Sequence, residues 1–379
     1  MDENKRFLPL SKPSFGNEEL EEIKKVLDSG WVSQGSKCLE FEKAVSSYVG
    51  SKYAVAVSNC TSALHLALLS VGIKAGDEVI VADYTFPATG HAVLYCGAKP
   101  VFADVSMLSY NIDASMIEKK ITENTKAIIP VHTFGQPSRM MPIMEIAQKH
   151  DLRVIEDAAC SLGAKCNGRQ SGTIGDVGCY SFHARKGITT GEGGMVVTDD
   201  IEIAEKVRSL SAFGITSAWD REKEKAPSVP IFDSIGFNYK MSDITAAVGV
   251  AQMRKLDSFI RKRQKLASVW NDVLSEQSFL TRPYVDGNVT HAYQSYVAVL
   301  DNRINRDKVI MGTMAKGVQT QIGTHALHIQ PIYGSDDSCP SSYYLYKHSI
   351  ALPIYDALTE DDIRWVAGII KEVLEGASR

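Results

Sequence analysis

Between residues 53 and 198 the chain alternates short apolar runs with longer stretches in which apolar positions recur three and four residues apart. The runs fall at residues 53–57, 78–82, 100–104, 127–131, 153–156, 177–182 and 194–198, and each predicts a β-strand. Several are apolar at consecutive positions, the pattern of a strand covered on both faces. Gly76-Asp77 and Gly175-Asp176 mark turns that open the strands after them. In the stretches between, Ala63, Leu64, Leu66, Ala67 and Leu68 form an apolar block behind a candidate cap, Asn59-Cys60-Thr61-Ser62. Residues 201–210 place Ile203, Ala204, Val207 and Leu210 on one helical stripe. A further long helix is expected over 243–256, with Ser242 as its N-cap. This alternation predicts an α/β fold: a mostly parallel central sheet with helices on both faces.

The pattern changes after Leu256. Arg261-Lys262-Arg263-Gln264-Lys265 continues a helix and is expected to be a solvated face. Residues 293–300 and 317–321 look like strands, and 361–374 like an amphipathic closing helix. The expected division is a large domain over 1–256 and a smaller C-terminal α+β domain over 257–379, consistent with the length of the chain. Residues 219–230 are charged and proline-bearing, and are expected to form a surface loop.

Charge narrows the function classes. With 41 basic and 45 acidic residues the net charge is −4, which supplies neither a basic footprint for nucleic acid nor a polybasic patch for a membrane. No segment approaches the roughly 18 unbroken apolar residues of a membrane span. Met1-Asp2-Glu3-Asn4-Lys5-Arg6 has no apolar run behind it, so a soluble, cytoplasmic protein is expected. Cysteines at 38, 60, 96, 160, 166, 179 and 339 are odd in number and lack CxxC spacing. They are expected to be reduced thiols used as small buried residues. His325-Ala326-Leu327-His328 has no carboxylate or third histidine nearby in sequence, and no metal site is expected.

The chemistry concentrates in residues 157–194. The run 153–156 leads into Asp157, and further on comes Ser181-Phe182-His183-Ala184-Arg185-Lys186-Gly187-Ile188-Thr189-Thr190-Gly191-Glu192-Gly193-Gly194. A pyridoxal phosphate enzyme needs a lysine to hold the cofactor covalently and an anion to keep the pyridine nitrogen protonated. Lys186 and Asp157 suit those roles, because lysine loses its proton readily when desolvated or near other cations. Asp157 also stands at the carboxyl end of a predicted strand, where open α/β sheets hold their ligands. Its bland alternative is a helix N-cap. Arg185 is placed to lower the Lys186 pKa or to bind an anionic group of the substrate. The glycine run lacks the Lys-Ser/Thr pair of a phosphate-binding P-loop and the spacing of a dinucleotide fingerprint.

With four further segments the chain resembles the DegT/DnrJ/EryC1/StrS family of pyridoxal-phosphate-dependent aminotransferases of nucleotide-linked sugars. These are Asn59-Cys60-Thr61-Ser62-Ala63-Leu64-His65-Leu66-Ala67-Leu68, Asp83-Tyr84-Thr85-Phe86-Pro87-Ala88-Thr89, Gly236-Phe237-Asn238-Tyr239-Lys240-Met241-Ser242-Asp243 and His328-Ile329-Gln330-Pro331-Ile332-Tyr333. The resemblance implies the fold type I architecture of aspartate aminotransferase. It assigns Thr61, Ser62 and Ser181 to the cofactor phosphate, Phe86 to the pyridine face and Asp157 to its nitrogen. Cys160 stands where many members carry Gln or His beside the cofactor ring, so the usual contact to the phenolic oxygen is in doubt. Asn238 matches an asparagine that reaches the partner subunit's cofactor, implying a homodimer with shared sites. His328 matches a motif bordering the substrate pocket. The implied reaction moves an amino group from L-glutamate to a nucleotide-linked keto-sugar, with Lys186 carrying the proton. A 4-keto-6-deoxyhexose is favoured; a C3-keto-sugar, an aminocyclitol precursor and a non-catalytic regulatory relative remain open. Dehydratase relatives carry histidine in place of the lysine, which Lys186 argues against.

Overall fold

The computed structural model describes residues 6–215 and 231–377; the loop expected at 219–230 lies outside them. Seven strands form the central sheet: β1 (Tyr53–Val57), β2 (Glu78–Ala82), β3 (Lys99–Ala103), β4 (Thr125–Ile129), β5 (Arg153–Asp157), β6 (Val177–Ser181) and β7 (Gly194–Thr198). Their order is β1-β7-β6-β5-β4-β2-β3. Pairing is parallel from β6 through β3, and β7 runs antiparallel to both β1 and β6. Every strand but β7 therefore points the same way. The carboxyl ends of β1, β2, β5 and β6 meet the amino end of β7 along one edge of the sheet.

The unbroken apolar runs have a direct physical cause. On β1, Val55 and Val57 pack with Ala63, Leu64 and Ala67 of α3 (Cys60–Ser70) and Val207 of α6 (Ile201–Ser211). Ala54 and Ala56 face the other way, onto Phe41 and Val45 of α2 (Ser36–Val49) and Val250 of α7 (Asp243–Met253). Alternate side chains of one strand thus enter two cores, each fully buried Val or Leu contributing about 1.5–3 kcal/mol. The same part of the chain also forms α1 (Asn17–Ser29), α4 (Pro87–Tyr95) and α5 (Met140–Lys149).

Chain punctuation follows the expected chemistry. Asn59 caps α3 by accepting from Ser62 N at 2.8 Å, and Ser242 caps α7 by accepting from Thr245 N at 3.2 Å. The helix expected to run to 256 stops at Met253, and α8 (Leu256–Val273) follows at once.

The C-terminal part builds a second, antiparallel sheet from β8 (Leu280–Thr281), β9 (Tyr296–Leu300), β10 (Gln321–Ile322) and β11 (Ser349–Leu352), in the order β8-β9-β11-β10. With α9 (Arg306–Ala315) and α11 (Glu360–Ala377) it packs a core around Trp270, whose Nε1 donates to Pro353 O at 3.0 Å, whereas α10 (Pro340–His348) buries Leu345 in the core that holds Ile80 and Ile128 of the central sheet. The strand expected over 317–321 is shorter. Gly317 is left-handed (φ +81°) and Val318 bridges Leu8, so ladder pairing begins only at Gln321.

One sequence expectation fails here. Arg263, expected in a solvated run, is 6% exposed. It shares the inner stripe of α8 with Phe259, Leu266 and Trp270, and the helix carries it inward.

Candidate active site

The site lies along the sheet edge that carries the carboxyl ends of β1, β2, β5 and β6. Asp157, at the end of β5, is 4% exposed. Thr89 Oγ1 donates to its Oδ2 at 2.7 Å, and Ala159 N donates to Oδ1 at 3.1 Å. Among the described residues no cationic side chain comes within ion-pair distance of it. A buried carboxylate in that state is costly, and a protonated pyridine nitrogen is the partner its surroundings fit.

Lys186 lies in the irregular connection between β6 and β7. Its Nζ donates to Cys160 Sγ at 3.2 Å. Burial pulls the ammonium down, but Cys160, Cys60 and Asp157 together outweigh it and hold the group above its ordinary value. The expected lowering by Arg185 does not occur. That side chain is exposed, and the thiols and Asp157 dominate the field at Nζ.

The start of α3 forms a second part of the site. Asn59 occupies Ser62 N, while the N–H groups of Cys60 and Thr61 find no protein acceptor among the described residues. Ser62 is buried with its hydroxyl 3.2 Å from Ser58 Oγ, and Thr61 is half-buried. Free N–H groups and the helix dipole suit a phosphate here. Ser181 closes β6 next to this turn, its Oγ accepting from His183 N at 3.4 Å. Gly194 explains part of the glycine run: a Cβ there would lie 2.4 Å from the Asn59 carbonyl and 2.8 Å from Cys60 N. Only glycine lets β7 pass that close to the helix start.

Phe86 is the N-cap residue of α4, with its ring 65% exposed and edge-on to His325 at 6.1 Å between centroids. An exposed ring at this edge fits a cofactor face. His328 arrives from the C-terminal part because His325 and Ala326 pair with Thr85 and Tyr84. Its Nδ1 and backbone N donate to the two oxygens of buried Asp83, at 2.7 and 2.6 Å, and that bond holds the imidazole above its ordinary pKa. Asp83 and Cys339 thus stand near His328 in space although far from it in sequence. His325 is not in that group. Asn238 is exposed, on a segment that bridges Ala212 and, through Tyr239 O, accepts from Ser58 N at 2.7 Å.

The structure therefore brings Lys186, Cys160, Asp157, Ser181, Thr61, Ser62 and Phe86 to one edge, with His328 beside it. Arg185 and Asn238 lie exposed at its margin. Thr89 and Asp83 were not singled out by sequence, although both sit in the segment containing Phe86. Their side-chain partners are remote along the chain, at Asp157 and His328.

The chain matches the DegT/DnrJ/EryC1/StrS aminotransferase family over residues 13–371. It belongs to that family. GDP-perosamine synthase of Caulobacter vibrioides is 37% identical over 373 residues, covering 97% of this chain and 98% of that protein. The aminotransferase TlmJ of Streptoalloteichus hindustanus superposes with a TM-score of 0.92 at 30% identity, covering 98% of this chain and all of TlmJ. DesI, solved with its TDP-sugar product, superposes with a TM-score of 0.89 at 30% identity, over 99% of this chain and 95% of DesI. The protein is an aminotransferase with the fold type I architecture, and its cofactor is pyridoxal phosphate. Among the described residues no helix is long and apolar enough to cross a membrane.

Proposed function

We propose that the protein transfers the amino group of L-glutamate to a keto-sugar carried on a nucleotide, with a 4-keto-6-deoxyhexose as acceptor. The observation that carries the reading is Lys186 at the sheet edge beside buried Asp157. The names of two relatives, a GDP-perosamine synthase and an enzyme with a TDP-sugar product, support the substrate class. Pyridoxal phosphate, when bound, supplies an electron sink for the pair left behind when a proton leaves the carbon bearing nitrogen.

The chain's own residues supply the rest. The α3 N-terminus with Thr61, Ser62 and Ser181 would hold the phosphate, and Phe86 would face the ring. Asp157, fixed by Thr89, would keep a proton on the ring nitrogen. Cys160 lies against Lys186, its Sγ accepting from Nζ at 3.2 Å. Lys186 takes the proton from the donor carbon and returns it on the acceptor side, work typically worth about 10²–10⁴-fold. His328, held in place by Asp83, and Arg185 offer hydrogen-bond donors to the diphosphate of the acceptor. Asn238 acts across a homodimer.

Replacing Asp157 with alanine is expected to lower kcat by roughly 10- to 100-fold, the value of a charge-assisted hydrogen bond. Cofactor occupancy, read from the visible absorbance of the dialysed protein, should fall much less. Near-normal turnover would remove Asp157 from this role. For the substrate, the purified holoenzyme is incubated with L-glutamate and a panel of UDP-, dTDP- and GDP-linked keto-sugars plus a keto-cyclitol. The 4-keto-6-deoxyhexoses should be aminated. Turnover confined to C3-keto-sugars or the cyclitol would reject the assignment.

A further inference from the structure

Behind the lysine lies a buried cation. Arg263 Nη2 donates to the backbone carbonyl of Lys186 at 3.2 Å, and Nη1 to that of Gln294 at 3.2 Å. Its Nε is buried without a hydrogen-bond partner, and among the described residues it has no ion pair; Asp356 acts on it from farther away. Burial brings the guanidinium down to about 10, which still leaves it charged at neutral pH. Gln294 completes the arrangement. Its Nε2 donates to the Arg185 carbonyl at 2.7 Å, and its Oε1 accepts from Ser295 Oγ at 3.0 Å.

Two consecutive carbonyls, at 185 and 186, are therefore held by side chains from outside the lysine's own connection. A buried cation without a carboxylate is an expensive way to fill space, since an apolar residue of similar volume packs there at lower cost. Its use must then lie in the direction and fixity of its donors. Lys186 needs that fixity. It stands outside any helix or strand, with a local bond from its own N to His183 O at 2.9 Å. A catalytic amine displaced by about 1 Å can lose on the order of 10²-fold in rate.

We propose that Arg263 is a positioning residue for Lys186, acting with Gln294 to hold the 185 and 186 carbonyls so that Nζ stays aligned with Cys160 and the cofactor. The proposal rests on Lys186 being the lysine that takes the cofactor. Arg263 itself touches no reacting atom. Helical spacing marks the inner stripe on which Arg263 lies, but not this role, because its hydrogen-bond partners lie 77 and 31 positions away.

The test uses the holoenzyme and its Arg263→Met variant, which keeps a long apolar stem and loses every donor. Two readouts do not depend on turnover: the rate at which borohydride fixes cofactor to Lys186, and the pH midpoint of the cofactor's visible band. Arg263→Met is expected to slow fixation roughly 10-fold or more and to move the midpoint. kcat should fall similarly while KM for glutamate changes little. Gln294→Leu should shift both readouts in the same direction, more weakly. Arg263→Ala should recover part of the fixation rate when millimolar guanidinium is added, a response that a packing defect alone does not give. If Arg263→Met does not fold, Gln294→Leu and the guanidinium response decide. Wild-type fixation rate and midpoint in folded variants, or no recovery with guanidinium, would overturn the proposal while a tag on Lys186 leaves the lysine reading intact. A wild-type tag on another lysine would remove both.

Discussion

Replacing Lys186 with alanine is expected to lower turnover by about 10²–10⁴-fold or more, because proton transfer and cofactor attachment are lost together. Borohydride reduction of the wild-type holoenzyme, followed by peptide mapping, should place the cofactor on the peptide that contains Lys186. The β6–β7 connection delivers this lysine to the edge where Asp157 ends its strand, and its Nζ lies 3.2 Å from Cys160 Sγ. Asp157 is also among the groups that raise its pKa. The raised value means that the amine of the cofactor-free protein is an ammonium at neutral pH. Attachment must therefore include loss of a proton, and reconstitution of the apoprotein with cofactor should be faster at alkaline than at mildly acidic pH. A tag on a different lysine, or a Lys186→Ala protein within tenfold of wild-type turnover, would end the assignment.

Sequence reveals most where burial is two-sided and least where contacts are remote. The central strands were legible because helices cover both faces, so runs such as Val79-Ile80-Val81 carry no polar interruption. The reversed direction of β7 was not. A strand's direction leaves no mark on its hydrophobicity, and only the paired registers show it. Lys186 and Asp157 were readable because their chemistry is rare and their local setting is specific. Thr89 was not, because a threonine in a Pro-Ala-Thr context looks like any early helical residue until β2 and β5 bring it 2.7 Å from Asp157. Arg263 misled for a related reason. Composition over residues 261–265 averages out the one position on the inner stripe of the helix, although Phe259, Leu266 and Trp270 at helical spacing carried that signal. His328 shows the same limit from the other side. Its neighbours in sequence offered no carboxylate, and the fold supplied Asp83 from a distant strand end.

Mixing Lys186→Ala subunits with Asn238→Ala subunits should restore activity that neither protein has alone. We base this on a homodimer in which Asn238 completes the partner's site. Asn238 is exposed, and exposed apolar residues stand in the same region: Phe213, which hydrogen-bonds Phe237 through its backbone, is 48% exposed, and Phe232 and Ile235 are 60% and 89% exposed. Large apolar side chains left in water are candidates for burial at an interface. A two-fold interface would use that patch on both subunits and build two equivalent sites. If Asn238 crosses the interface, the hybrid dimer contains one site with both lesions and one with both residues intact. Activity should then rise to about half of wild type per hybrid dimer, on the symmetry of the arrangement. If Asn238 serves its own chain, each site of the hybrid carries one lesion and mixing restores nothing. Sedimentation supplies the independent check, since a fully active monomer has no partner from which to receive Asn238.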